Sequence, residues 1–247
     1  MVTPQVRRIL IYWFLSIAMV GGCVFEPPEG ETFVIDLSKE VPVQVGPVNP
    51  FEGLYESMLY TTVRIKAGFS CGSGVIINGY IITAAHVVDN ESIVTVELFY
   101  PEYIEIDATV LVTDTAKDLA LIKICNLKSG ICNYSATLAP RNYTPYIFTP
   151  VYAVGCSLGL KVRPSYGIIS IIEPGYCEIS APILPGNSGG PVFALVPSND
   201  GNASTYEVIG ISVWVRVYKD QLITTMGGIV PIQEIYDFLE ENNICFK

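Results

Sequence analysis

The sequence predicts an all-β protein of two lobes of similar size, followed by one C-terminal helix. Three observations lead there. Beyond residue 55, short β-branched and aromatic runs alternate with turn residues, the signature of strands. These runs fall into two sets of about six on either side of a loop around Pro140 to Pro145. An apolar period of helical spacing appears only at the end of the chain.

The first set comprises Thr61–Ile65, Val75–Ile77, Tyr80–Thr83, Ser92–Phe99, Ala108–Val112 and Leu119–Ile124. The second comprises Val151–Val154, Gly167–Ile172, Cys177–Ser180, Pro191–Leu195, Glu207–Val217 and Met226–Val230. A sheet left open would expose edges ready to pair with other chains, so each set is expected to close on itself. Pro231 stands where a helix can start, and the apolar spacing after it places a helix over about 231–242.

With 247 residues, 50% hydrophobic and 15% charged, the chain can bury a large core as one globular unit. Lys and Arg number 14 against 24 Asp and Glu, and the net charge of −10 excludes a phosphate-binding surface, so nucleic acid is not a partner. None of the seven cysteines sits in a CxxC pair, which removes the spacing for zinc or dithiol redox work, and no metal or cofactor is expected. Apart from Cys23, six cysteines allow up to three disulfides in an oxidising compartment, with buried free thiols as the alternative. Cys125 and Cys132 flank an apparent turn over 126–130 and are the nearest candidates for a bridge.

Arg7 and Arg8 precede an uncharged run from Ile9 to Phe25, the pattern of an export signal over residues 1–22. Within it Val20-Gly21-Gly22-Cys23 resembles a lipobox, which would make Cys23 the lipid-bearing first residue of the mature chain. An uncleaved signal anchor is the other reading, and either one exports the downstream domain to the outer face of a membrane. Residues 23–54, punctuated by Pro27, Pro28, Pro42, Pro47 and Pro50, read as a tether, and residues 55–247 as the folded domain. Its two lobes are expected at about 55–138 and 146–230. Asn90, Asn133, Asn142 and Asn202 head N-x-S/T sequons, which carry glycans only in a host that glycosylates exported proteins.

Three segments carry chemistry in combination. His86, the single histidine, follows a strand in Thr83-Ala84-Ala85-His86-Val87-Val88. Asp118 opens the apolar strand Asp118-Leu119-Ala120-Leu121-Ile122-Lys123-Ile124. Ser188 lies in Pro185-Gly186-Asn187-Ser188-Gly189-Gly190-Pro191, whose glycines permit a tight path that presents Oγ and aims N–H groups at one point. Alone, each has a structural explanation. A nucleophilic serine, however, needs a base to take its proton, and the base needs a carboxylate to fix its tautomer, so His86, Asp118 and Ser188 form a candidate triad in a cleft between the lobes.

TAAHVV, DLALIKI and PGNSGGPV, with Gly72-Ser73-Gly74-Val75-Ile76-Ile77 ahead of them, resemble the trypsin-like serine peptidases, most closely the HtrA/Do (DegP-like) branch. Val151-Tyr152-Ala153-Val154-Gly155 and Val208-Ile209-Gly210-Ile211 match further strands of that family in order, and the resemblance covers roughly 55–240. It implies two six-stranded β-barrels and an extracytoplasmic serine endopeptidase of exported or unfolded polypeptides. It also implies an oxyanion hole from the N–H groups of Gly186 and Ser188. The substrate-pairing edge would run from Gly210 through Ser212 and Val213 to Trp214, and Ile183, Leu184 and Val213 would wall the S1 pocket. No PDZ domain, usual in HtrA proteins, is expected after the barrels, and the sequence sets no oligomeric state. Asn187 stands where digestive trypsins have Asp, so capture of a newly cut N-terminus is not expected. A catalytically silent surface-binding module that kept the fold is the competing reading.

Overall fold

The computed structural model describes residues 52–124, 134–197 and 204–244. Helix α1 (Glu52–Tyr60) leads into β1 (Thr62–Ala67), β2 (Ser70–Ile77), β3 (Tyr80–Thr83), the single-turn helix α2 (Ala85–Val88), β4 (Ile93–Leu98), β5 (Ile104–Asp114) and β6 (Leu119–Lys123). These six strands close into an antiparallel barrel in the order β1-β2-β3-β6-β5-β4. A second set follows: β7 (Pro150–Gly155), β8 (Arg163–Glu173), β9 (Tyr176–Ile179), β10 (Pro191–Val196), β11 (Thr205–Tyr218) and β12 (Gln221–Pro231), with helix α3 (Ile232–Glu241) at its end. They close in the order β10-β11-β12-β9-β8-β7. Two closed six-stranded barrels and a C-terminal helix are the architecture expected from the sequence.

Strand alternation explains the core. On β1, Val63, Ile65 and Ala67 point inward while Lys66 is exposed, the period of two that a half-buried strand requires. All of Leu119–Ile122 on β6 is buried, on both faces of the strand. The segment joining the barrels is stitched to both: the Ala136 N–H donates to Ile76 O at 2.9 Å, and the Val208 N–H to Thr137 O at 2.8 Å. Helix α3 buries Ile232, Ile235, Phe238 and Leu239, the spacing of one helical face.

Two elements differ from the sequence reading. Strand β2 begins at Ser70 rather than Val75, because Gly72-Ser73-Gly74 pairs with β1 residue by residue. Glycine is needed there for close approach: a methyl group on Gly72 would sit 2.5 Å from Val87 Cγ2 and 2.9 Å from the Ser188 carbonyl oxygen. Helix α1 begins at Glu52, inside the segment read as tether. So short a helix is marginal alone; this one buries Met58 and docks Tyr55 on the second barrel, its hydroxyl 3.2 Å from Tyr152 and its ring 6.2 Å from Tyr206. Of the alternatives the cysteines left open, Cys71, Cys156 and Cys177 follow the free-thiol one, which limits the disulfides to fewer than three; burial pushes the Cys156 thiol up to about 12.

The export signal, Cys23, residues 23–51, the Cys125–Cys132 pair, Cys245 and the sequons at Asn133 and Asn202 lie outside the described residues. Asn90 and Asn142 are exposed. Among the described residues no helix is long and apolar enough to cross a membrane.

Phe238 is fully buried beneath α3. Phe238→Ala is expected to lower the unfolding free energy by about 3–5 kcal/mol, seen as a lower urea midpoint at unchanged slope. A loss below about 1 kcal/mol would mean that α3 is not part of the cooperative core.

Candidate active site

The pairing of β3 with β6, with Thr83 opposite Ala120, brings the end of one strand beside the start of the other. His86, in α2, and Asp118, immediately before β6, therefore meet although 32 positions apart. Asp118 Oδ1 accepts the His86 backbone N–H at 3.0 Å, and Oδ2 lies 2.8 Å from Nδ1. An ionised carboxylate only accepts, so Nδ1 carries the proton and Nε2 is left as the acceptor facing out. Asp118 adopts φ 53, a left-handed conformation that is unfavourable for a residue with a side chain and is held here by these bonds.

The side chains of His86 and Asp118 are 47% and 31% exposed, so both partners are within reach of a ligand. The hydrogen bond that the His86 ring donates to Asp118 raises the His86 pKa above 6.5; burial opposes this and the Asp118 charge adds to it.

Ser188 occupies the turn before β10. The Asn187 N–H donates to Leu184 O at 3.0 Å and the Gly190 N–H to Asn187 O at 2.9 Å, with Gly186 at φ 95 and Gly189 at φ 82 in the region glycine favours. Among the described residues, neither the Gly186 nor the Ser188 N–H has a protein acceptor. Asn187 is buried and its Oδ1 accepts the Ser157 hydroxyl at 2.6 Å, so its side chain braces the turn.

Ser73, a residue to which sequence reasoning gave no role, holds this turn from the first barrel. It is 0% exposed. Its N–H donates to Ser188 O at 2.8 Å, its hydroxyl to Gly186 O at 2.6 Å, and its Oγ accepts the Cys156 N–H at 2.8 Å. The only signal in the sequence was a small polar residue between two glycines. No hydrogen bond joins Ser188 Oγ to His86 among the described residues; the serine turn is tied to the first barrel through its backbone, by the bonds to Ser73.

The remaining candidates border the serine turn. The Ser212 N–H donates to Gly190 O at 2.9 Å and its carbonyl accepts the Gly189 N–H at 2.7 Å. Gly210, Ser212, Val213 and Ile183 are buried and Leu184 is half-buried. Ile183 packs against Gly227, where a methyl group would sit 2.5 Å from its Cγ1. Trp214 lies over Gly228, its ring 6.0 Å from that of Tyr176. Behind the imidazole a cavity of about 230 Å³ is lined by His86, Asp89, Asn90, Thr113 and Asp118. A larger one of about 500 Å³, beside α3, contains none of these residues. Among the described residues no cluster of three or more His, Cys, Asp or Glu could hold a metal ion.

Residues 72–196, which include His86, Asp118 and Ser188, match the trypsin-like peptidase domain over about half the chain. The chain belongs to the trypsin-like peptidase family. Within that family it is similar to serine protease HTRA1A of Danio rerio, 28% identical over 93% of this chain and 46% of the relative. It is also similar to a probable periplasmic serine endoprotease DegP-like of Halomonas elongata, 34% identical over 66% of this chain and 32% of the relative. The chain thus spans less than half the length of these curated relatives. The crystal structure of a serine endoprotease from Yersinia pestis has the same fold, with a TM-score of 0.63 at 22% identity over 78% of this chain and 66% of that one.

Because His86 is the single histidine, its titration by NMR is free of overlap. It is expected to titrate above 6.5. Asp118→Asn removes the carboxylate's charge and its charge-assisted bond but leaves the burial, so the midpoint falls. An unmoved midpoint would contradict the pairing.

Proposed function

We propose that this trypsin-like chain is an extracytoplasmic serine endopeptidase, tethered to a membrane through Cys23 or an uncleaved signal anchor, that hydrolyses exported or unfolded polypeptides. The double grip of Asp118 on His86, beside a serine turn with two unaccepted N–H groups, carries this reading. Ser188 Oγ attacks the scissile carbonyl while His86 Nε2 takes its proton, and Asp118 holds the tautomer and steadies the imidazolium. The carbonyl oxygen becomes an anion between the Gly186 and Ser188 N–H groups, each such donor lowering the barrier by about 3 kcal/mol. The imidazolium then protonates the leaving amine, and water repeats the cycle on the acyl-enzyme.

Substrate backbone would pair along Gly210 to Trp214 as an added strand. Ile183, Leu184 and Val213 would wall a pocket without an acid, which favours medium apolar residues before the scissile bond. The extracytoplasmic placement draws on the arginine-led apolar run at residues 7–25 and on relatives described as periplasmic. A silent binding module is the second reading, and the missing contact between Ser188 Oγ and His86 is what favours it.

A fluorophosphonate probe and a peptide library, each with Ser188→Ala as control, separate the two. Labelling confined to the parent protein and a kcat about 10⁴-fold or more above Ser188→Ala are expected. The base must be neutral, so kcat/KM falls tenfold per pH unit below a group titrating above 6.5. Folded protein that takes no label is the silent module, and a profile dominated by Lys or Arg would refute the apolar pocket.

The tether is tested by Cys23→Ser. The variant is expected to leave the membrane fraction or to remain unprocessed, whereas unchanged processing and retention would favour the signal anchor over the lipid.

A further inference from the structure

We propose that Arg64 is a positioning residue which, anchored on the buried carboxylate of Glu97, holds the Gly159 carbonyl and so locks the serine turn from the first barrel; this rests on the peptidase reading above. Arg64 on β1 and Glu97 on β4 are directly opposite in the ladder. The Glu97 side chain is only 2% exposed, and a carboxylate so placed survives as an anion only when paired. It accepts from Arg64 Nε, from Lys66 Nζ at 2.9 Å and from the Tyr103 hydroxyl at 2.8 Å. Burial works against its ionisation, but these bonds outweigh burial and hold it down at about 2, so the anchor stays charged at any pH at which the chain would work.

Arg64 has a second hand free. Its guanidinium lies 4.9 Å from the Phe99 ring centre, which fixes the plane of the fork, and Nη1 donates to Gly159 O across the gap between the barrels. A planar fork bonding two acceptors at once is what arginine does and lysine cannot. The carbonyl it holds ends a short 3-10 turn, Ser157–Gly159, in which Leu158 (φ 57) and Gly159 (φ 68) are both left-handed. Leucine avoids that conformation unless its surroundings impose it.

That turn touches the serine turn at two points. The Leu158 N–H donates to Pro185 O at 2.6 Å, and the Ser157 hydroxyl donates to Asn187 Oδ1 at 2.6 Å. Pro185 and Asn187 flank Gly186, whose N–H is half of the proposed oxyanion hole. The chain of contact thus runs from Glu97 through Arg64, Gly159 and Leu158 to the peptide units that would receive the anion. Arg64 touches no substrate; it acts by keeping those N–H groups aimed.

Two variants test this against the parent protein. Arg64→Lys keeps a cation on Glu97, and Arg64→Met combined with Glu97→Gln removes both charges so that none is stranded. In each, kcat is expected to fall about 10- to 100-fold with KM changed by less than about twofold, as for a misaimed transition-state contact. Affinity for a peptidyl boronate, which forms a tetrahedral anion on Ser188, falls by the same factor, while the acid limb set by His86 does not move. Unchanged kcat, or a loss confined to KM, overturns the inference. If the parent protein is no more active than Ser188→Ala, the peptidase reading has failed, and native-state hydrogen exchange judges the clamp alone. Faster exchange of the Leu158 and Gly159 amides in both variants supports it, and unchanged protection overturns it.

Discussion

The fold depends on one buried residue at the joint of its barrels. Ser73 uses its N–H, its carbonyl and its hydroxyl in both directions: to Ser188 O, from the Thr83 hydroxyl, to Gly186 O and from the Cys156 N–H. Leaving any of these groups unpaired in a dry interior costs about 1–3 kcal/mol, so the barrels have little freedom to slide without breaking several bonds together. The bonds require close backbone approach, which explains the surrounding residues. Gly72, Gly155 and Gly189 face this joint, and a side chain on any of them would collide with Ser73, with its partners or with Val87; one on Gly190 would meet the Val154 carbonyl oxygen at 2.3 Å.

Charge is used sparingly but at chosen places. The chain is acidic overall, with a net charge of −10, yet its two most buried carboxylates, Glu97 and Glu178, are each met by an arginine, Arg64 and Arg216. A third carboxylate, Asp118, is partly exposed and, among the described residues, spends its acceptors on His86, through both the ring and the backbone. Ion pairs on the outside, such as Arg141 with Asp237 and Glu240 on α3, lie in water and contribute little. The pairs that matter are those in which a buried acid fixes a cation that reaches across an element boundary.

What the sequence revealed follows from which interactions are local. Twelve strands were legible because β-branched runs end at turn residues, and β3, Tyr80–Thr83, was read to the residue. His86, Asp118 and Ser188 were legible because each sits in a short motif. Ser73 and Arg64 were not, since their partners Gly186 and Gly159 lie 113 and 95 positions away. The start of β2 was hidden for the same reason: the need for glycine there shows only when the neighbour that needs the space, Ser188, is known. Helix α1 escaped notice because its stability comes from contacts such as Tyr55 on Tyr152 rather than from its own short period. Cysteine number allowed disulfides, but whether Cys71, Cys156 and Cys177 pair is decided by where segments far apart in the sequence put them.

These two kinds of residue do different work. Under the peptidase reading proposed above, the motif residues would supply functional groups: a nucleophile, a base, a carboxylate and two N–H donors. Their separation is set by bonds between distant segments, because Ser188 stands on one barrel while His86 and Asp118 stand on the other. Proton transfer from Ser188 Oγ to His86 Nε2 needs about 3 Å between them, and contacts of this kind tighten when substrate binds. A displacement of the serine turn by a single ångström is enough to cost about 100-fold in rate. A chain can therefore keep the three triad residues and still be silent, and under the peptidase reading the aim of the serine turn would depend on the bonds that Ser73, Asn187 and the Ser157–Gly159 turn make to hold it in place.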